Sequence, residues 1–414
     1  MMPRTGGRQP LTSGDLTVRK HRPDYGLLVI ASVLLGVGMI VMFAISPALA
    51  AQGGNVGDNY FVSRQFIAII LGFIAFLVAS RVPLAIWERW QKPLIVVAFL
   101  LSVATIVLGG MANRWIQLGA LSFQPVEFVK FVLIIAGASF LARVANEGKA
   151  AKLTALKPLL ITFAVFSVVL VVLQRDLGST FVLASMAGAM AFMAGVPMKR
   201  LLLFGLAALV LGVAAISTTQ YRRDRFLTFM QPERDCVNTG YHACQALIAV
   251  GSGGVFGLGL GRSVQAYGYL PEAANDSIFA IYAEKFGFVG VVVLLGIYGA
   301  LLFRMLNIMQ RAPNRMTQLV CVGVFTWFSI QAVVNIGAMV GLLPLKGITL
   351  PFISYGGTSL IFSMAALGIV FQVSSYTTMR RSSLGFENER VEHEDSRHWR
   401  RDSRPRYTVT RRSV

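Results

Sequence analysis

A short acidic segment is the first candidate for chemistry in this chain. The residues from Pro271 to Ser277, PEAANDS, contain Glu272 and Asp276 and lead directly into a long apolar run that begins at Ile278. A carboxylate at such a boundary can meet water and lipid headgroups together, and it can act as a general base. Asp276 can also be the N-cap of the helix that follows, which is the simpler interpretation of this residue taken alone.

Four more charged residues lie inside apolar runs, namely Glu127, Lys130, Glu284 and Lys285. Charges within a membrane are costly, so they mark either function or a buried pair. Glu127 and Lys130 are three residues apart, and this spacing lets them neutralise each other on one face of a helix. Structural pairing and catalysis both remain open for these four residues.

The composition places these residues in a membrane. The chain is 55% hydrophobic and 14% charged, with a mean hydropathy of +0.64, which excludes a single water-soluble core. We therefore predict an all-α polytopic membrane protein of about ten transmembrane helices, with a large extracytoplasmic loop (219–276) between helices 7 and 8. The ten apolar runs are Gly26–Leu49, Phe66–Ser80, Leu94–Gly110, Val126–Leu141, Pro158–Leu173, Ser179–Val196, Leu201–Thr218, Ile278–Phe303, Leu319–Val340 and Ser359–Val373.

The basic residues orient this bundle. With the N-terminus inside, 27 of the 38 Lys and Arg residues fall on the cytoplasmic side, as the positive-inside rule expects. Both termini are then cytoplasmic, and the 25–376 membrane domain lies between two polar tails, 1–24 and 377–414, that we expect to be disordered. The net charge of +19 thus reflects topology and attraction to anionic lipid, and no nucleic-acid partner is predicted.

Three local features keep alternatives open. Ala48-Leu49-Ala50 resembles a signal-peptidase site, but the apolar run before it is long for a signal peptide and favours an uncleaved anchor. Cys236 and Cys244 lie in the outer loop, where a disulfide and two free thiols are both compatible with the sequence. The glycine-rich run Gly251–Gly261 resembles a phosphate-binding loop only weakly, and close helix packing or a re-entrant turn explains it better.

Six segments of the chain form one set of motifs: NRWIQLG (113–119), SFQPVEFVK (122–130), QRDLG (174–178), IAVGSGG (248–254), YLPEA (269–273) and GLLPLKGITLPFISYGG (341–357). Together they resemble one family, the SEDS proteins of the FtsW and RodA group. The resemblance covers about 25–373, and its most specific motif is the last of the six. Lys346 and the GLGLGR run before Tyr269 favour FtsW over RodA.

This resemblance implies a peptidoglycan glycosyltransferase that polymerises lipid II on the outer face of the cytoplasmic (inner) membrane, for septal synthesis in cell division. It implies that Asp276 is the catalytic residue, a general base for the acceptor 4-hydroxyl, with undecaprenyl pyrophosphate as the leaving group. Because that leaving group is already activated, one carboxylate suffices. The resemblance also implies a substrate-binding set of Trp115, Gln124, Glu127, Lys130, Gln174, Asp176, Glu272, Lys346, Ser354, Gly356 and Gly357.

The cofactor and partner predictions are less specific. Outer arginines or a divalent metal, Mg²⁺ or Mn²⁺, would offset the pyrophosphate charge, and the sequence does not say which residues would hold a metal. The resemblance implies a class B penicillin-binding protein as partner, together with other proteins of the division or elongation complex.

The chain departs from the family pattern around the candidate base. Ala274 and Asn275 stand where the family has His-Thr, and Ser277 stands where it has Phe. Arg175 replaces a proline, and Lys285 replaces a common glutamate. These changes bear on the positioning of the acceptor more than on the base.

Two other functional classes compete with the enzyme. A flippase for lipid II or another polyprenyl-linked lipid would place essential charges deep in the bundle and use inverted repeats, whereas here the distinctive residues lie mostly in outer segments. A scaffold that only recruits a transpeptidase would need no catalytic carboxylate. Replacing Asp276 by Asn separates the enzyme from both.

Overall fold

The molecule is almost entirely helical. The computed structural model describes residues 16–52, 57–108, 114–118, 121–217, 223, 229–230, 236–238 and 240–380. The helices are α1 (Tyr25–Gln52), α2 (Tyr60–Arg81), α3 (Leu84–Leu108), α4 (Pro125–Asn146), α5 (Leu153–Val168, continued by a π-helical turn, Val169–Leu173), α6 (Leu177–Met193), α7 (Met198–Ser217), α8 (Tyr241–Ser252), α9 (Ile278–Gln310), α10 (Arg315–Met339) and α11 (Gly357–Ser374).

The all-α membrane fold is confirmed. Within the described ranges, seven helices are long and apolar enough to cross a bilayer: α1, α2, α4, α5 with its π turn, α9, α10 and α11. Each of the ten predicted spans overlaps a helix, including α3, α6 and α7, but the count of ten stays a prediction. The outer loop 219–276 is only partly covered, since most of 218–235 lies outside the described residues.

Three helices form the interior of the bundle. About three quarters of the spans of α4, α10 and α11 are buried (78%, 72% and 72%), against 33% or less for α1, α2 and α9. A helix that is buried all round lies among other helices, whereas a lipid-facing helix keeps an exposed apolar surface. Four polar side chains of these helices therefore lie inside protein and not in lipid: Glu127, Lys130, Gln331 and Asn335.

The described residues 16–20 and 377–380 belong to a unit separate from the membrane unit. Its described strands, β1 (Leu16–Lys20) and β4 (Tyr376–Arg380), form a two-stranded sheet. The predicted disorder of the tails concerns residues that mostly lie outside the described part and stays a prediction.

The membrane unit begins at His21, slightly before the expected boundary at 25. The His21 N–H donates to Ser375 O at 2.9 Å. The Asp24 N–H donates to Ser374 Oγ at 2.9 Å, and the Asp24 carboxylate pairs with Arg304 at 3.3 Å. These bonds hold residues 21–24 against the ends of α9 and α11.

A short β-hairpin interrupts the helices between α3 and α4. Strands β2 (Ile116–Leu118) and β3 (Leu121–Phe123) pair antiparallel, with Ile116 opposite Phe123. The hairpin carries Arg114 and Trp115 just before β2 and Gln124 just after β3. It therefore presents the first two signature segments at one end of the bundle.

The glycine-rich run after α8 packs by backbone contact against a break in α9. Gly287 leaves the helical conformation at φ 64°, ψ −166°. The Leu258 and Gly259 N–H groups donate to the carbonyls of Glu284 and Lys285 at 2.9 and 3.0 Å. The run therefore satisfies backbone groups that the break would otherwise leave without partners. This is the close packing that the sequence favoured over a phosphate loop.

The two charged residues of α9 fasten the same region. Glu284 is buried and accepts hydrogen bonds from Ser263 Oγ and from the two backbone N–H groups that follow it, at 2.5–3.2 Å. Lys285 donates to Leu260 O at 2.8 Å. Both side chains therefore hold the glycine-rich loop against α9.

We expect Gly257→Ala to destabilise the protein more than Gly259→Ala does. Both glycines have positive φ, +83° and +86°, so both substitutions carry similar backbone strain. A Cβ on Gly257 would collide with the carbonyl oxygen of Lys285, whereas a Cβ on Gly259 would meet nothing within 4 Å. The difference should reach about 2 kcal/mol, measured by thermal unfolding in detergent. Equal unfolding midpoints would contradict this packing.

Candidate functional site

The turn that carries Asp276 is held by the segment between α10 and α11. The Tyr355 N–H donates to Ala274 O at 2.9 Å. The Ser354 hydroxyl donates to Asn275 O at 2.7 Å. These bonds join the residues just after YLPEA to the GLLPLKGITLPFISYGG segment, and Asn275 and Ser354 are 79 residues apart along the chain.

A buried amide of α10 completes this attachment. Asn335 Nδ2 donates to the carbonyl oxygens of Asp276 and Ile348, both at 2.7 Å. Asn335 is 1% exposed, so its two bonds form away from water. It therefore fixes the backbone of Asp276 beside the Lys346–Ile348 segment of the facing loop.

The carboxylate of Asp276 points to a glycine and an arginine. A Cβ placed on Gly347 would lie 3.2 Å from Asp276 Oδ2 and 3.7 Å from Arg114 Nη1. Asp276 is half-buried and Gly347 is exposed. A carboxylate and a guanidinium thus face the same open position beside the loop.

Arg114 is held in this place by the turn before α6. Its Nε donates to Gln174 O at 2.9 Å and its Nη2 to Arg175 O at 2.7 Å. Gly178, one turn later, packs against the side chains of Lys346 and Ile348, with 3.0–3.3 Å from a built Cβ to their atoms. The segment of Arg114, the turn before α6 and the loop between α10 and α11 therefore meet around Asp276.

Arg114 was not among the predicted site residues. The residue next to it, Trp115, is half-buried ahead of β2. The signal was available, because Arg114 lies in the NRWIQLG segment and is an outer arginine. Only the fold shows that its guanidinium is clamped on two carbonyls.

Backbone strain occurs in the turn before α6, in the turn that carries Asp276 and in the loop between α10 and α11. Among the described residues, the non-glycine residues with positive φ are Arg175 (53°), Glu272 (51°) and Phe352 (66°). Such conformations cost free energy and persist where the surroundings enforce them, often at functional sites. Each of these residues belongs to a segment that meets at Asp276.

Two predicted binding residues lie beneath the site and form hydrogen bonds with helix residues. Asp176 is the N-cap of α6, and its carboxylate accepts from the Ser179 N–H at 2.9 Å and the Ser179 hydroxyl at 2.7 Å. Gln174 Nε2 donates to Ser102 O and Thr105 Oγ1 at 3.0 and 3.1 Å. Both residues are almost fully buried, so they support the turn that holds Arg114.

Glu127 and Lys130 form a buried ion pair in α4. Lys130 Nζ lies 2.8 Å from Glu127 Oε1, with side chains 0% and 4% exposed. The ammonium also lies 4.7 Å from the ring centroid of Trp327, an arrangement typical of a cation–π contact. The local neutralisation that the spacing allowed is therefore present.

The remaining predicted residues fall into two groups. Glu272 and Lys346 are exposed or half-buried at the open side, and Glu272 accepts from Asn275 Nδ2 at 2.5 Å. The residues of the second group shape the backbone below: Gln124, whose N–H donates to Thr358 Oγ1 at 3.3 Å, Ser354, Gly356 and Gly357. The binding role of each of these residues stays a prediction.

Cys236 and Cys244 form a disulfide that ties the residues before α8 to its first turn. Within the described ranges Cys321 is a free thiol, buried in α10. No group of three or more His, Cys, Asp or Glu side chains in the described part of the chain could hold a metal ion. Beside Asp276, the described residues place the guanidinium of Arg114.

Comparison with known proteins gives one consistent result. The family model FtsW/RodA/SpoVE, described as "Cell cycle protein", matches residues 25–379. This chain belongs to that family. The FtsW/RodA/SpoVE match covers the whole membrane domain, as the signature segments predicted.

Individual relatives agree with the FtsW/RodA/SpoVE assignment. The chain is 37% identical to a probable peptidoglycan glycosyltransferase FtsW of Saccharophagus degradans, over 86% of this chain and 93% of the relative. The RodA crystal structure from Thermus thermophilus matches with 28% identity and a TM-score of 0.63, over 85% of this chain and 96% of that one. The prediction that the chain is closer to FtsW than to RodA is thus confirmed.

A second solved structure shares the fold. It comes from work on the "structural coordination of polymerization and crosslinking by a peptidoglycan synthase complex". It matches with 29% identity and a TM-score of 0.69, over 85% of this chain and 97% of that chain. The chain is therefore a multi-pass membrane protein of this family.

We expect Gly347→Ala to reduce the activity of the site while the protein stays folded. The added methyl group would lie 3.2 Å from Asp276 Oδ2, a contact close enough to shift the carboxylate. Turnover should fall about tenfold, with an unchanged thermal unfolding midpoint. Gly251→Ala, which meets nothing within 4 Å, is the control. Full activity of Gly347→Ala would show that the carboxylate does not need this geometry.

Proposed function

We propose that this protein is a peptidoglycan glycosyltransferase that polymerises lipid II at the outer face of the cytoplasmic membrane, for septal synthesis in cell division. Family membership and the FtsW relative support the reaction class. The observation that carries the proposal is the half-buried Asp276 carboxylate, which faces an open position that it shares with Arg114.

In the proposed reaction, Asp276 acts as the general base. It takes the proton from the acceptor 4-hydroxyl of GlcNAc as that oxygen attacks the anomeric carbon of MurNAc. The new bond joins the sugar oxygen to the anomeric carbon, and the bond to undecaprenyl pyrophosphate breaks. The proton passes from the carboxyl group to water, and the leaving group departs as a diphosphate that needs no general acid.

Arg114 supplies positive charge for that diphosphate. Its guanidinium is oriented before substrate arrives, because two of its nitrogens are bound to carbonyls. Preorganised charge stabilises a transition state more than mobile charge does. Lys346, the residue before Gly347, is half-buried in the facing loop and is the second cation that we propose for the diphosphate.

The positive-inside rule supports the proposed orientation. Most Lys and Arg residues lie on the side of the two termini, opposite the loops that carry Asp276. The site is then extracytoplasmic, where lipid-linked precursors are assembled into the wall. The similar structure from a peptidoglycan synthase complex, in which polymerisation and crosslinking are coordinated, supports a class B penicillin-binding protein as partner.

Two features disfavour the flippase and scaffold alternatives. The charges deep in the bundle are engaged in structure: Glu127 pairs with Lys130, and Glu284 binds a loop. The backbone of the turn that carries the half-buried Asp276, by contrast, is held by Asn335, Ser354 and Tyr355. A scaffold has no need for such a carboxylate.

We expect Asp276→Asn to abolish glycan synthesis from labelled lipid II, with a loss of at least about 100-fold. The amide keeps the size of the side chain but cannot accept the hydroxyl proton. The assay uses the purified protein with its cognate transpeptidase and resolves the strands by gel.

The matched control is Asp58→Asn, because Asp58 is an exposed aspartate of the α1–α2 connection. It should retain wild-type synthesis. Strands from Asp276→Asn at the wild-type rate would exclude Asp276 as the base. No strands from the wild type with its partner would return the flippase and scaffold to consideration.

We expect Arg114→Lys to lower turnover by about 10- to 100-fold. Lysine keeps the charge but cannot hold two carbonyls and still present a donor to the diphosphate, as the guanidinium fork does. Steady-state kinetics on lipid II would measure this. Wild-type turnover in Arg114→Lys would mean that a bare positive charge is sufficient there.

A further inference from the structure

A histidine from α8 contacts the residue that follows the candidate base. His242 Nε2 lies 2.7 Å from Ser277 Oγ, and that hydroxyl donates to Pro271 O at 2.8 Å. Ser277 is fully buried. The two contacts, from His242 to Ser277 and from Ser277 to Pro271, thus link both ends of the turn that carries Asp276 to α8.

The single proton of the serine hydroxyl decides the direction of these bonds. Because that proton goes to Pro271 O, the contact with His242 requires an N–H on Nε2 of the imidazole. The neutral Nε2–H tautomer and the imidazolium both supply this donor. The histidine can therefore hold Ser277 in either protonation state.

The turn needs such support because its backbone is strained. Glu272 has φ 51°, and its carbonyl accepts from the N–H groups of Asn275 and Ser277 at 3.0 and 3.1 Å. A non-glycine residue in this conformation reverts unless its neighbours hold it. The bond between Ser277 and Pro271 closes the same turn across its two ends.

The position of His242 is itself fixed twice. α8 packs so closely on α9 that a Cβ on Gly253 would collide with the carbonyl of Ala283. The disulfide between Cys236 and Cys244 fastens the first turn of α8 to the residues before it. His242 lies between the two cysteines in sequence, so the disulfide restricts the turn from which its side chain projects.

We propose that His242 is a positioning residue for the glycosyl transfer. It acts through Ser277 on the turn Pro271–Ser277 and so sets the direction of the Asp276 carboxylate toward the acceptor hydroxyl. This inference rests on the proposed function. It adds a residue from the outer loop 219–276 that no signature segment contains.

Two amide substitutions at His242 separate positioning from bulk. The side-chain N–H of glutamine is as many bonds from Cα as Nε2 of histidine is, so His242→Gln can reach Ser277. The side-chain N–H of asparagine is only as far from Cα as Nδ1, so His242→Asn falls short. We expect His242→Gln to keep turnover within about twofold of wild type. We expect His242→Asn to lower kcat about tenfold while KM for lipid II changes less than about twofold.

Ser277→Ala provides the second arm of the test. It removes the same link from the other end, so its kcat should fall like that of His242→Asn, and the double variant should lose no more than either single variant. Thermal unfolding midpoints of all variants are measured alongside. Additive losses, or equal losses in the Gln and Asn variants, would overturn the positioning role.

The wild type and Asp276→Asn are assayed in the same series. Synthesis that is lost in Asp276→Asn but normal in His242→Asn would overturn the inference and leave the proposed function standing. A wild type that makes no strands with its transpeptidase would overturn both. A further outcome is that His242→Asn loses kcat together with a lower unfolding midpoint, while KM for lipid II rises by the same factor as kcat falls. That result would mean that the histidine has only a structural role.

Discussion

The site depends on hydrogen bonds from side chains to the backbone of irregular segments. The two carbonyls that Asn335 binds, of Asp276 and Ile348, lie in irregular segments outside the helices. Near a bilayer such groups cannot rely on water, and each one left without a partner costs free energy. A buried amide with two donors solves this and at the same time sets the distance between two loops.

The same constraint explains other parts of the architecture. At the break in α9, the glycine run supplies backbone donors, and only glycine permits the approach at Gly257. At the turn before α6, Arg114 takes the Gln174 and Arg175 carbonyls. The same bonds therefore give backbone carbonyls their partners and fix the geometry of the candidate site, which is why the strained residues lie next to the candidate base.

The charged residues divide by their surroundings. Glu127 and Lys130 are buried and paired with each other, and the buried Glu284 accepts hydrogen bonds from the loop that packs on α9. Asp276, Arg114 and Lys346 lie where segments between helices meet, and they are half-buried. A charge in the interior must be neutralised by its neighbours, whereas a charge at the open side can act on substrate. The position in the fold, and not the residue type, separates the two groups.

Patterns along the chain were enough to predict the fold class, the family and the candidate base. Apolar runs and the signature motif up to Gly357 are local features that can be recognised without any knowledge of contacts. The folded molecule was needed to show that Arg114, Asn335 and His242 contact the segments around Asp276, how the glycine run packs on α9, and that Cys236 pairs with Cys244. These are contacts between residues remote in sequence or alternatives of equal local cost, so no pattern along the chain specifies them.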